Sequence, residues 1–226
     1  GPVHFGGRMA FLPDGTLVLT TGDGFDFRER AQRLDSPLGK VMRISIDGKV
    51  PAGNPYASES DAQGAIWSRG HRNPQGLAYD PVRRMLFAHE HGPRGGDEVN
   101  VIRRGGNYGW PLVTYSIEYS GKPITEERSR PGFRDPVSVW IPSIAASGLA
   151  VYRGSRLKAL DGALLAGGLM SQDVRVIRIG KDGRPTGETR IRIGARVRDV
   201  AQGPDGNVYV LTDEEAGRII RLTPAR

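Results

Sequence analysis

Cysteine is missing from all 226 residues, which excludes disulfides, thiolate metal sites and a cysteine nucleophile, and leaves the redox compartment open. Long apolar runs are missing as well. Nothing approaches the roughly 18 residues that a membrane span needs, so no transmembrane helix is encoded. The first residues carry no basic stretch followed by an apolar one, so no export signal is legible in them. Apolar residues spaced i, i+3, i+4 are scarce, which leaves little room for amphipathic helices. The formal net charge is +7, yet the basic residues are scattered and no basic stripe carries interleaved stacking aromatics. Nucleic acid is therefore a poor partner.

What the chain has in quantity is glycine (32) and proline (16), punctuating short β-rich runs. Four stretches repeat one grammar of entry strand, turn, middle strand, turn and exit strand. The first uses residues 8–11, the turn Pro13-Asp14-Gly15, 17–21 and 40–46; the second uses 76–79, 85–89 and 98–102. The third uses 148–152, 163–167 and 174–179. The fourth uses 198–201, the turn Pro204-Asp205-Gly206, 208–212 and 218–222. Asp47-Gly48 and Asp182-Gly183 read as hairpin turns into a further strand, residues 189–193 being one such strand. Recurring units of three or four strands predict an all-β fold, a β-propeller with about four blades in one domain over residues 1–226. Four is few for a closed ring of such blades, so about two more are expected on the N-terminal side. Two long loops, residues 25–36 and 116–136, interrupt the spacing, and loops of that length are usually functional or mobile.

The polar residues cluster at strand ends. Arg196 and Arg198, at i and i+2 of a strand, point to one side and call for a bridging anion, either a carboxylate ligand or an acid of the chain such as Asp199. Gly92-Pro93 turns two successive carbonyls outward, an arrangement that suits Ca²⁺, with Asp97 and Glu98 close by. His4, before a Gly-Gly pair, is a candidate general base, a role that histidine fills most often. His71, His89 and His91 read as structural, and His89-Glu90-His91 lacks the spacing of a zinc protease motif.

Seven motifs in this order resemble the soluble pyrroloquinoline quinone-dependent sugar dehydrogenases, in their aldose sugar dehydrogenase branch. They are HFGGR (4–8), GKVMRI with DG (39–48), HRNPQGLA (71–78), EHGPRGGDEVN (90–100), GGNYGWP (105–111), RVRDV (196–200) and GPDGNVYVLTDE (203–214). The resemblance implies a six-bladed propeller with the cofactor over its axis. It makes His4 the base for the anomeric hydroxyl, Arg72 and Asn73 the quinone contacts, Gly92 and Pro93 the Ca²⁺ ligands, and Arg196 and Arg198 the carboxylate clamp. It places Asp97, Glu98 and the Tyr108 carbonyl at an additional calcium site. The sequence departs from the family at Val3 (an acid in one branch), Gly24 (a glutamine in some members) and Met170, where a lysine touches the cofactor.

The implied activity is oxidation of aldose sugars such as glucose at C1 to the lactone, with PQQ and Ca²⁺ as cofactors, in the periplasm. An external electron acceptor and a homodimer are the candidate partners. Two other functions fit a propeller: a metal-dependent lactonase, and a non-catalytic module that binds a protein or glycan.

Overall fold

The computed structural model describes residues 3–58 and 64–224, so the Gly1-Pro2 start lies outside it. Among the described residues fifteen strands form four antiparallel sheets. The first holds β1 (Gly6–Phe11), β2 (Leu17–Thr21), β3 (Lys40–Ile44) and β4 (Ile66–Arg69); the second holds β5 (Pro74–Asp80), β6 (Met85–Glu90), β7 (Asp97–Ile102) and β8 (Ser138–Trp140). The third holds β9 (Ala146–Val151), β10 (Ala163–Gly168), β11 (Asp173–Ile179) and β12 (Pro185–Arg192). The fourth holds β13 (Val197–Gln202), β14 (Val208–Thr212) and β15 (Ile219–Leu222). The four-bladed, all-β expectation holds.

One turn recurs. At Pro13-Asp14-Gly15, at Pro204-Asp205-Gly206 and at Lys181-Asp182-Gly183 the same pair of backbone hydrogen bonds closes a three-residue loop, and the aspartate accepts the N–H two residues on. The glycine takes φ near +80° in each case, the left-handed position such a loop requires. Asp47-Gly48 makes the same backbone turn, but no strand follows at once. The first sheet's fourth strand comes instead at Ile66–Arg69, pairing with β3 through Lys40↔Arg69 and Val41↔Ser68. The three-residue β8 carries too short a pattern to be read from sequence.

Each hydrophobic cluster is a contact between neighbouring blades. Val18, Val41, Leu77 and Leu86 join the first to the second. Phe87, Val99, Leu149, Leu164 and Ile177 join the second to the third, and Leu165, Val176, Val200 and Val210 join the third to the fourth. Successive residues of a strand point to opposite faces, so Leu164 and Leu165 serve different interfaces. That is why β10 is apolar throughout, with every residue buried.

The first strands β1, β5, β9 and β13 lie side by side as the innermost layer. Backbones close up there: a Cβ on Gly148 would lie 1.9 Å from Asp199 Oδ1. Hydrogen bonds tie the strand starts together at one end. Asp23 N donates to Arg72 O, His91 Nε2 meets Ala146 O, and Ser147 Oγ donates to Val197 O. Antiparallel register places the ends of the second strands beside these starts, as in Gly6↔Thr21, Pro74↔Glu90 and Val197↔Thr212. The polar strand tips of all four blades therefore share one end of the assembly.

Candidate active site

His4 precedes β1 with φ +57°. Its carbonyl rests on Gly22, where a Cβ would come within 1.8 Å of His4 O. The ring lies edge-on to Phe25, 5.2 Å between centroids. Nδ1 sits 2.7 Å from Oδ1 of Asp23. Asp23 is buried and also accepts from Phe25 N (2.9 Å) and from Trp110 Nε1 (2.8 Å). A carboxylate on Nδ1 keeps the proton there, so Nε2 is the nitrogen able to take another.

Arg72 is 4% exposed. Its N–H donates to Glu90 Oε2, and its guanidinium donates to His91 O (2.9 Å) and to the Tyr119 hydroxyl (3.2 Å). The cation lies 5.4 Å from the Trp110 ring centre, a favourable cation–π distance. Asn73 follows, its Oδ1 accepting from Gln75 Nε2 and its carbonyl from His91 N. The three remaining histidines hold the scaffold. His71 lies between Ser68 and Glu90 and stacks on Tyr108. His89 contacts Ser147 O, and burial draws its pKa down to about 3. Burial lowers His91 too, and it contacts Ala146 O.

Gly92 is packed so closely that a Cβ would meet Ser116 Oγ at 1.9 Å. Its N–H donates to Asp97 Oδ1 (3.1 Å), and Asp97 Oδ2 accepts from Ser143 Oγ, Ile144 N and Ala145 N. Four protein donors thus occupy the Asp97 carboxylate. Glu98 stands opposite Glu90 in the β6–β7 ladder. Burial and the facing Glu90 charge push its carboxyl well above the usual carboxylate range. Both carboxylates line a cavity of about 10 Å³ with Tyr108 and Gly92, room for one water or ion. Among the described residues no three His, Cys, Asp or Glu side chains converge as a metal site.

Arg196 and Arg198 do converge, and the anion between them is Asp213. Arg196 Nε donates to Oδ2 (3.0 Å), and Arg198 donates from Nη2 to Oδ2 (2.9 Å) and from Nε to Oδ1 (3.3 Å). The two guanidiniums hold the Asp213 carboxyl below its ordinary range. Asp199 pairs instead with Arg8 of β1, at 3.1 Å. Both arginine side chains remain almost half exposed.

An open cleft of about 550 Å³ is lined by His4, Phe25, Arg72, Asn73, Gly92 and Tyr119, among others. A pocket of about 260 Å³ adjoins it, sharing His4, Phe25, Arg72 and Tyr119 and adding Asp23, Arg28, Pro93, Trp110 and Glu118. The structure thus brings His4, Arg72, Asn73, Gly92 and Pro93 to one place. Glu98 and Tyr108 lie in the small cavity beside it. Arg196 and Arg198 share the end of the fold but line neither space. Met170, 71% exposed, follows β10 at the same end. Sequence reading missed Asp23, Trp110, Glu118 and Tyr119. For Asp23 a signal existed: hairpin register puts the residues after β2 beside those before β1.

A sequence model described as Glucose / Sorbosone dehydrogenase matches residues 1–221. The aldose sugar dehydrogenase YliI of Escherichia coli (strain K12) is 43% identical over 98% of the chain and 60% of its own length. The solved apo-form of the soluble aldose sugar dehydrogenase from Escherichia coli superposes with TM-score 0.93 at 41% identity, covering 99% of this chain and 65% of that one. The PQQ-bound form of the aldose sugar dehydrogenase from Streptomyces coelicolor gives TM-score 0.78 at 31% identity, over 99% and 63%. The chain spans 56–60% of the length of the curated relatives it matches first.

Proposed function

Because the chain belongs to the glucose/sorbosone dehydrogenase family, we propose that it forms the catalytic part of a quinoprotein that oxidises aldose sugars at C1 to the lactone. One observation carries this reading. His4, with Nδ1 committed to the buried Asp23, lines the same cleft as Arg72 and Asn73.

When bound, pyrroloquinoline quinone supplies the hydride acceptor and Ca²⁺ its polarisation. The residues present suit a flat polyanion with a hard cation. Gly92 borders the cleft and Pro93 the pocket beside it, so their carbonyls would serve as oxygen ligands. Arg72 and Asn73 would hydrogen-bond the quinone, and Arg196 and Arg198 would hold its carboxylates through the guanidinium nitrogens that Asp213 leaves over. A lysine at position 170 would add a further contact. Methionine there weakens binding by about 1–3 kcal/mol relative to that arrangement. The paired Glu90 and Glu98 and the Tyr108 carbonyl would surround a second Ca²⁺. Asp97, its carboxylate already taken by four donors, serves by fixing Gly92 rather than by ligating.

In the reaction His4 Nε2 takes the proton of the anomeric hydroxyl, general-base catalysis worth about 10²–10⁴-fold. Asp23 fixes the tautomer and stabilises the imidazolium. The Arg72 cation, held in place beforehand by two hydrogen bonds and Trp110, stabilises negative charge developing in the cleft. Electrons pass on to an external acceptor. A periplasmic location belongs to the same reading and rests on the family resemblance. No helix among the described residues is long and apolar enough to cross a membrane.

The test adds quinone and Ca²⁺ to the full-length apoprotein and follows dye reduction with D-glucose. Dye reduction that needs both additions is the expected result. Its absence from correctly folded protein overturns the proposal.

A further inference from the structure

The two long loops meet over the cleft, and their contact is a charged one. Residues 22–39 leave β2 and return into β3. Residues 117–123 form a tight hairpin, with Ile117 bridged to Pro123 and Glu118 N donating to Lys122 O. Arg28 of the first loop donates Nη1 to Glu118 Oε1 of the second at 2.6 Å. The two side chains are 42% and 32% exposed, neither hidden from a ligand nor free in solvent. They form part of the wall of the 260 Å³ pocket, together with the aromatic rings of Phe25, Trp110 and Tyr119.

We propose that the Arg28–Glu118 pair reads hydroxyls of the sugar ring from the wall of this pocket. The inference rests on the sugar-oxidation reading and adds the specificity residues to it. A pyranose presents apolar C–H faces and a rim of hydroxyls, each both donor and acceptor. Aromatic rings suit the faces. A guanidinium offers only donors and an ionised carboxylate only acceptors, so the two side by side match neighbouring hydroxyls with opposite polarity. Small-molecule pockets begin at about 300 Å³, so 260 Å³ suits a single ring. The pocket meets the larger cleft at His4 and Arg72, which puts C1 of a ring seated there beside the base.

The experiment uses full-length protein loaded with quinone and Ca²⁺. It compares D-glucose with its 2-, 3- and 4-deoxy derivatives in the unaltered protein, in Glu118→Gln and in Arg28→Met. In the unaltered protein, removing the hydroxyl that is read lowers kcat/KM about tenfold, the scale of one hydrogen bond to a charged group. In both variants that penalty shrinks to about twofold, and KM for glucose rises about tenfold with little change in kcat. Quinone affinity, read by absorbance titration, stays the same. Deoxy penalties of equal size in all three proteins overturn the role of the pair while leaving sugar oxidation intact, since the pair then only braces the loops. A protein that binds quinone yet oxidises no sugar overturns both.

Discussion

Among the described residues Lys40 is the only buried lysine, and replacing it with methionine tests how the loop over the cleft is held. Its Nζ donates to the carbonyls of Arg30 (2.9 Å), Ala31 (3.0 Å) and Leu38 (2.5 Å), gathering the return arm of residues 22–39. Burial, with repulsion from Arg69 added, draws its pKa from 10.5 to about 7, against a smaller opposing pull from Asp35. An unfolded chain keeps this proton to about pH 10.4. Between pH 7 and 10 the unfolded state therefore binds more protons, and the Lys40 contribution to stability rises with pH, by at most about 1.36 kcal/mol per unit. Summed over that window the gain is about 3.5 kcal/mol. Lys40→Met lacks this titration. Guanidinium unfolding of the full-length protein and of the variant, at several pH values from 7 to 10, should show the unaltered protein gaining on the variant by about that amount. Methionine also removes the donor that Leu38 O accepts from, whereas Arg30 O and Ala31 O keep Arg33 N and Gly70 N. That loss adds an offset of about 1–3 kcal/mol. A stability difference constant across the range would refute the reasoning, because the ammonium would then hold its proton throughout.

Asp23→Asn should leave the fold intact and lower kcat by about 10²–10⁴-fold in the quinone-loaded full-length enzyme, because an amide no longer holds the proton on Nδ1 of His4; steady-state kinetics decide it. Gly22→Ala should cost more than the 1–3 kcal/mol usual for overpacking, since the new Cβ would land 1.8 Å from a backbone oxygen; denaturation midpoints read this, and a midpoint unchanged from that of the unaltered protein would contradict the close approach. Asp213→Asn should free both guanidiniums for the cofactor, so quinone titration should give a lower Kd with a steeper dependence on salt; a higher Kd would mean that Asp213 is needed to aim them.

Much of this architecture is written locally. The Asp-Gly turns, with glycine at positive φ, recur because a three-residue hairpin loop needs that conformation, and they mark where strands reverse. Alternating and continuous apolar runs then place most strands within one or two residues of their observed bounds, except β12, which begins at Pro185 rather than at residue 189. His4 and Gly92 were legible as candidate site residues because each lies within a few positions of a strand end, whereas Arg72 and Asn73 drew their roles from the family resemblance. The convergence of Arg196 and Arg198 followed from their spacing.

Other features depend on segments that sequence separates. Arg28 and Glu118 are 90 residues apart, and Trp110 reaches Asp23 across 87. Only the packing of blade against blade joins them, through apolar faces whose partner no local pattern names. The same holds for the acid between the twin arginines, for the commitment of Asp97 to four donors, and for the fourth strand of the first blade. Turn chemistry and residue period are properties of a few neighbouring residues, so the chain alone determined its blades and their tips. Which tip charges meet, and which are left for a ligand, depends on distances across sheets, and tertiary structure decided that.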